Sequence, residues 1–299
     1  MPERERVAII GAGTMGRRIA FTTIACGHDT ALFDVLPAAR SEAVLAVRRL
    51  LAEREAKGTL PPGATDRAVA HLHIVDSLPA CVAQADIIIE SVPEQVDLKR
   101  QVFRAADAAA PPHALLGTNT SAIPGSWLAD ATNRPAQVFN ANFGPPDDVK
   151  VEIMPHAGTS AATLDQAVAF MRRLGLVPLV VRKEVVGYAG NRVWRAVKKE
   201  VLALLAGGHT TPEDLDRGWM LDWGVAIGPC GLMDKIGLDV VRDIELVYFR
   251  ATGDPTDRPP AFLDAMIARG QLGEKTGSGF YRYPHPAYAE PGWLKATNS

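Results

Sequence analysis

A chain of 299 residues has room for one large domain or two ordinary ones, and 47% hydrophobic with 22% charged residues excludes a disordered or collagen-like polymer. Thirty-two Lys and Arg stand against 34 Asp and Glu, a net charge of -2, so the basic excess that nucleic acid demands is missing and no such partner is expected. Cys26, Cys81 and Cys230 are scattered without CxxC or His-rich spacing, which argues against a disulfide framework or a metal site and for a reducing, cytoplasmic setting.

In chain order, the first segment has no apolar signal region, and no apolar run anywhere is long enough to span a bilayer, so no membrane partner is expected. Val7 to Ile10 reads as a buried strand that meets a glycine turn, and a helix follows from Arg17 toward Cys26. A second strand, Thr30 to Phe33, ends at Asp34. Leu36 to Ala56 then shows helical spacing until Gly58 and Pro61-Pro62-Gly63 stop it. Further strands are predicted at Leu72 to Val75, Ala85 to Glu90, Ala114 to Thr118, Val138 to Phe143, Val149 to Met154 and Leu179 to Val181, with a helix at Leu98 to Ala109. Alternating strands and helices imply a Rossmann-type, doubly wound α/β sheet over residues 1 to 185. Beyond Gly187 the pattern turns helical: Asn191 to Leu205, a helix opened by Thr211-Pro212, Asp239 to Phe249 and Pro260 to Ala268. An all-α domain is expected over residues 186 to 299.

Between the first strand and helix stands Gly11-Ala12-Gly13-Thr14-Met15-Gly16. Gly11 suits a tight turn, Gly13 a close approach of backbone to a pyrophosphate, and Gly16 helix packing, while the helix N-terminus offers its free N–H groups to phosphates. Asp34 lies 18 residues past Gly16, at the end of the next strand, where a carboxylate accepts hydrogen bonds from a ribose 2′-OH and repels a 2′-phosphate. NAD is therefore the expected cofactor.

Several longer segments resemble the L-3-hydroxyacyl-CoA dehydrogenase family, which includes lambda-crystallin-like and carnitine dehydrogenases. They are ADIIIESVPEQVDLKRQVF (Ala85 to Phe103), GTNTSAIP (Gly117 to Pro124), VGYAGNR (Val186 to Arg192), GPCGLMDKIGLD (Gly228 to Asp239) and GEKTGSGFY (Gly273 to Tyr281). The resemblance implies hydride transfer between a secondary alcohol and NAD, a His held by a Glu for the hydroxyl proton, and a helical domain for substrate and homodimer contacts. Carried over by position, Ser121 and Asn191 orient the reacting oxygen, Glu152 is the Glu, and Glu94, Lys99 and Asn119 lie beside the cofactor. A Glu and a Lys at a helix start also fit a plain solvated cap.

The departure is the His. Anchoring VFNANFGPPDDVKVEIM on Pro145 places Ala141 at the His position, whereas counting back from Glu152 places Asn140 there. Asn140 or Asn142 offers hydrogen bonds but cannot relay a proton near neutral pH. His156 stands four residues from Glu152, about 13 Å along an extended strand, and His28, His71, His73, His113, His209 and His285 fall in other contexts. On the Asn191 helix, Trp194, Arg195 and Lys198 share one face, so Lys198 is a candidate proton donor and Arg195 a candidate carboxylate clamp. With Lys199 they equally suit a solvated face or a dimer contact. The expected function is NAD-dependent hydride transfer on a 3-hydroxy or 3-oxo substrate, either an acyl-CoA or a free hydroxy or oxo acid. The alternatives are imine reduction, whose iminium substrate already carries its proton, and a catalytically silent NAD-binding protein.

Overall fold

The computed structural model describes residues 4–144 and 148–295, so Pro145 lies outside the described residues. The chain divides into two compact units, residues 1–189 and 190–299.

The first unit runs β1 (Arg6–Ile10), α1 (Thr14–Ala25), β2 (Asp29–Phe33), α2 (Pro37–Ala56), α3 (Ala64–Val69), β3 (Leu72–Ile74), α4 (Leu78–Val82), β4 (Ile87–Glu90), α5 (Val96–Ala109), β5 (Leu115–Thr118), α6 (Ser126–Ala129), β6 (Val138–Phe143), β7 (Lys150–Pro155), α7 (Ala161–Arg173) and β8 (Val177–Val180). Its eight strands form one sheet in the order β3-β2-β1-β4-β5-β6-β7-β8. Every neighbouring pair is parallel except β6 and β7, which are antiparallel. Successive strand side chains point to opposite faces, so the sheet feeds two cores. Ile9, Leu32, Ile89, Phe139 and Phe170 pack on one face, and Ile10, Ile88, Phe103, Leu116 and Leu128 on the other. All four residues of β4 are buried, as a strand covered on both faces requires. Helix α7 did not stand out in the sequence, although Ser160 caps it by accepting from Thr163 N and its Ala167, Phe170 and Met171 are buried.

The second unit continues α8 (Tyr188–Ala206) and adds α9 (Pro212–Trp223), α10 (Pro229–Ile236), α11 (Leu238–Thr252) and α12 (Ala261–Ala268). Thr211 caps α9 through Asp214 N, with Pro212 at its first position, where the missing N–H costs nothing. Two buried carboxylates tie the unit together. Asp216 accepts from Cys230 N at 2.8 Å and from Gly231 N and the Tyr281 hydroxyl at 2.9 Å. Asp234 accepts from Phe280 N and Tyr281 N at 2.9 Å and from the Tyr283 hydroxyl at 3.1 Å. Burial pushes both carboxyl groups up. Among the described residues no helix is long and apolar enough to cross a membrane.

Candidate active site

The glycine turn separates its three jobs as expected. Gly11 has φ +107°, and a Cβ there would sit 2.5 Å from Ser91 O. A Cβ on Gly16 would fall on Gly11 O, so α1 can only lie this close to β1 with glycine there. Gly13 has no protein atom within 4 Å of its Cβ direction, which leaves its face open for a phosphate. It begins α1 without a side-chain cap, and no acidic residue occupies the first turn, so the N–H groups and positive end of the helix dipole stay available to an anion. Asp34 accepts from Ala12 N at 2.8 Å and Leu36 N at 2.9 Å, which fixes its carboxylate at the end of β2. A groove of about 860 Å³ runs past these groups, with Thr14, Met15, Glu94, Asn119, Ser121 and Asn142 also in its wall. The open glycine face, the free helix end and the oriented carboxylate fit a nicotinamide dinucleotide. Their partners would be its pyrophosphate and its ribose hydroxyls.

Behind the groove lies a buried ion pair. Lys99 is fully buried and donates to Glu90 Oε1 at 2.8 Å, Glu90 Oε2 at 3.0 Å and Val92 O at 3.2 Å. It is therefore turned away from the groove wall, and the expected contact of Lys99 with cofactor gives way to a positioning role. Glu90 also accepts from Val92 N at 2.6 Å and the Thr118 hydroxyl at 2.7 Å. Burial raises its carboxyl group above the usual range, against the opposing pull of Lys99. Lys99 Nζ lies 3.5 Å from Glu94 Oε2, and Glu94 Oε1 accepts from the Thr120 hydroxyl, Ser121 N at 3.2 Å and Ala122 N at 3.3 Å. Ser121 is thus held at the groove by a chain of charges that begins in the core.

The antiparallel register places Asn142 directly opposite Glu152, and Asn142 Nδ2 donates to Glu152 Oε2 at 3.2 Å. Of the residues expected near the His position, Asn142 meets Glu152, whereas the two positions given by alignment, 140 and 141, do not. Ala141 points into the core, and Asn140 is fully buried, donating to Ile123 O at 2.9 Å. Among the described residues, no histidine lines the groove. His156 contacts Pro135 O at 2.9 Å, His113 pairs with Asp86 at 3.0 Å, and His28 is buried 3.0 Å from Glu5.

Tyr188 escaped the sequence reading. It is fully buried and donates from its hydroxyl to Thr120 O at 2.9 Å, with Asn140 beside it. Its φ of +54° is the only positive value among the described non-glycine residues, a conformation costing about 1–3 kcal/mol that its surroundings must impose. Burial pushes its hydroxyl group up, so it stays a donor. Asn140, Glu94 and Tyr188, with Glu184 accepting from Ser126 N at 2.9 Å, clamp the 120–126 loop from four directions.

In the second unit, Asn191 is exposed in the first turn of α8. Lys198 and Arg195 are engaged inside the unit. Lys198 is buried 3.2 Å from Glu245 Oε1, while Arg195 lies 3.3 Å from Glu245 Oε2 and 2.7 Å from Asp257 and stacks over Tyr248. That geometry supports a structural ion network in place of the expected proton donor and carboxylate clamp. Hydrogen bonds from Lys199, Thr252 and Arg195 hold the Asp257 carboxyl group well below the usual carboxylate range. A depressed native pKa stabilises the fold above the unfolded value of about 4 and is lost as pH falls below it. Asp257→Asn is expected to flatten the acid limb of a plot of Tm against pH, read by thermal scans from about pH 3 to 7.

A doubly wound sheet with a pyrophosphate cradle and a ribose-binding carboxylate, followed by a helical unit, is the architecture of a two-domain nicotinamide-dependent dehydrogenase. Residues 6–185 match the 3-hydroxyacyl-CoA dehydrogenase NAD binding domain and residues 187–283 the 3-hydroxyacyl-CoA dehydrogenase C-terminal domain, so the chain belongs to the 3-hydroxyacyl-CoA dehydrogenase family. It is 31% identical over 283 residues to a probable 3-hydroxybutyryl-CoA dehydrogenase of Bacillus subtilis, spanning 94% of this chain and 98% of that one. It is 30% identical over 284 residues to the 5-formyl-3-hydroxy-2-methylpyridine 4-carboxylate 5-dehydrogenase of Mesorhizobium japonicum, spanning 93% and 90%. The crystal structure of (S)-3-hydroxybutyryl-CoA dehydrogenase from Ralstonia eutropha superposes with a TM-score of 0.85 at 31% identity, over 95% of this chain and all of that one.

Proposed function

We propose that the protein transfers a hydride between NAD(H) and the secondary carbon of a small 3-hydroxy or 3-oxo substrate that need not be a CoA thioester, without the His its family uses. NAD, when bound, supplies the hydride donor and acceptor. Ser121, fixed at the groove by Glu94, is the observation that carries this reading. Ser121 orients the reacting oxygen, and Asn142 fills the place facing Glu152. The proton passes to water, because an amide neither takes nor gives one near neutral pH. Loss of a general acid or base typically costs about a hundredfold to ten-thousandfold, so 3-hydroxybutyryl-CoA is expected to turn over slowly. The relatives on both thioester and non-thioester substrates support a search across both classes.

The test is a fluorescence titration with NADH, followed by assays on 3-hydroxybutyryl-CoA and on free hydroxy acids. Ser121→Ala is expected to lower kcat about tenfold or more with NADH affinity unchanged, as for a group that acts on the reacting oxygen. Failure to bind NADH overturns the reading. Binding without hydride transfer to any substrate leaves a silent NAD-binding protein instead. The reading also includes a homodimer through the helical unit, supported by Val240, Ile244 and Val247, exposed at i, i+4 and i+7 on α11. A monomer at sedimentation equilibrium at working concentration would contradict that part.

A further inference from the structure

We propose that Tyr188 is a positioning residue for hydride transfer, acting through the Ser121 hydroxyl. The proposal rests on the reading of Ser121 as the group that orients the reacting oxygen, and adds what holds it in place. Its basis is a single peptide group, the amide between Thr120 and Ser121. The N–H of that amide donates to Glu94 Oε1 at 3.2 Å, and its C=O accepts from the Tyr188 hydroxyl at 2.9 Å. A planar amide held at both ends loses its freedom to turn about the flanking ψ and φ, so the direction in which the next Cα carries its side chain is fixed. That side chain is Ser121, which is exposed and lines the groove.

Of the two holds, the tyrosine is the firmer. The Glu94 side chain is 41% exposed and shares its carboxylate among several donors. Tyr188 is fully buried and Thr120 is buried beside it. Away from water a hydrogen bond is stronger, and a carbonyl left without its donor costs more. The remaining bonds act further along the loop: Thr120 Oγ accepts from Ile123 N at 2.9 Å, and Glu184 from Ser126 N at 2.9 Å.

The Tyr188 hydroxyl is itself aimed. Asn140 Nδ2 donates one N–H to Ile123 O at 2.9 Å, and the Asn140 side chain also hydrogen-bonds to the Tyr188 hydroxyl, to which the second N–H is the matching donor. With Asn140 donating to its oxygen, the hydroxyl turns its proton to Thr120 O. The backbone of Tyr188 is held at φ +54°, and such strain persists only where the surroundings over-determine it, most often at functional sites. A ring wanted only for its apolar bulk would need no hydroxyl with partners on both sides.

The experiment uses Tyr188→Phe in the full chain, which keeps the ring and removes one oxygen. With NAD⁺ and whichever of 3-hydroxybutyryl-CoA and the free hydroxy acids the parent turns over, kcat is expected to fall about tenfold, with KM and NADH affinity unchanged. In a Ser121→Ala background the same substitution should cost nothing further, because no hydroxyl is left to position; a merely structural role gives additive losses. A second readout needs no turnover. The amides of Ser121 and Ala122 should exchange hydrogen about tenfold or more faster in Tyr188→Phe, with those of β1 and β4 unchanged, whereas general loosening speeds all of them alike. Asn140→Ala removes the donor to the Tyr188 oxygen and should move both readouts the same way, and it carries the test if Tyr188→Phe does not fold. A kcat within about twofold of the parent, an additive loss in the double variant, or exchange that rises equally across the sheet each overturns the inference while leaving cofactor binding intact. A parent that binds NADH yet transfers no hydride overturns the proposed function instead, and the exchange comparison then still decides whether Tyr188 holds the Thr120–Ser121 amide.

Discussion

Lys99→Met is expected to destabilise the protein by about 3–5 kcal/mol, the scale for removing one partner of a buried ion pair. Glu90 and Lys99 are both essentially out of solvent, and Glu90 would keep only the donors from Val92 N and Thr118 to offset its charge. Burial already raises the Glu90 carboxyl group with Lys99 present. Without the ammonium group it would take up a proton on folding. A carboxyl group raised above its unfolded value stabilises the fold below that value, about 4.3, and loses the contribution as pH rises through its native pKa. The stability deficit should therefore deepen from acid toward neutral pH, read as the urea midpoint against pH. The double variant Glu90→Gln/Lys99→Met should recover much of the loss, since no charge is left unpaired. A functional effect should accompany it, because Lys99 also faces Glu94, which holds Ser121 N and Ala122 N. A loss below about 1 kcal/mol would contradict the pair's role as the anchor of this loop.

What could be read in the residues, and what could not, follows from how far apart the interacting groups lie. The glycine turn was legible because each glycine answers to backbone geometry within one βαβ unit: a positive φ at Gly11, an open face at Gly13, contact at Gly16. Asn142 was named beside Asn140, and the register could have chosen between them. Six residues separate Phe143 from Lys150, too few for the crossover that parallel strands need, so the two strands had to form an antiparallel hairpin. In such a pair, positions equidistant from the turn face each other, which sets 142 against 152 and 143 against 151. Matching to the family pattern pointed to 140 or 141 because it counted along the chain and ignored this register. Period-two alternation then excludes Ala141, whose side chain points the other way into the core. Lys198 was harder. Its helix face was read correctly as a shared one, but its partner Glu245 sits on α11, and only the packing of two helices brings them together. Tyr188 carried no local signal at all, since neither its positive φ nor its bond to Thr120 O follows from the residues beside it.

Gly13→Ala should weaken NADH binding by about ten- to hundredfold while leaving the fold intact, and Gly16→Ala should do the reverse damage first. The two glycines are three residues apart in one turn, and their surroundings differ in kind. At Gly13 the backbone has φ -70° and ψ -171°, which alanine adopts without strain, and its Cβ would meet no protein atom within 4 Å. Any penalty must come from something that approaches this face when bound, and the free N–H groups of α1 identify that as an anion. At Gly16 the Cβ would collide with Gly11 O, so α1 must move off β1, costing about 1–3 kcal/mol of stability before any ligand is added. Measuring both variants by thermal unfolding and by NADH fluorescence separates a cofactor contact from a packing contact. If Gly13→Ala binds NADH as the parent does, the pyrophosphate does not sit at this helix end. If Gly16→Ala keeps its Tm, the close approach of helix and strand is not what requires glycine there.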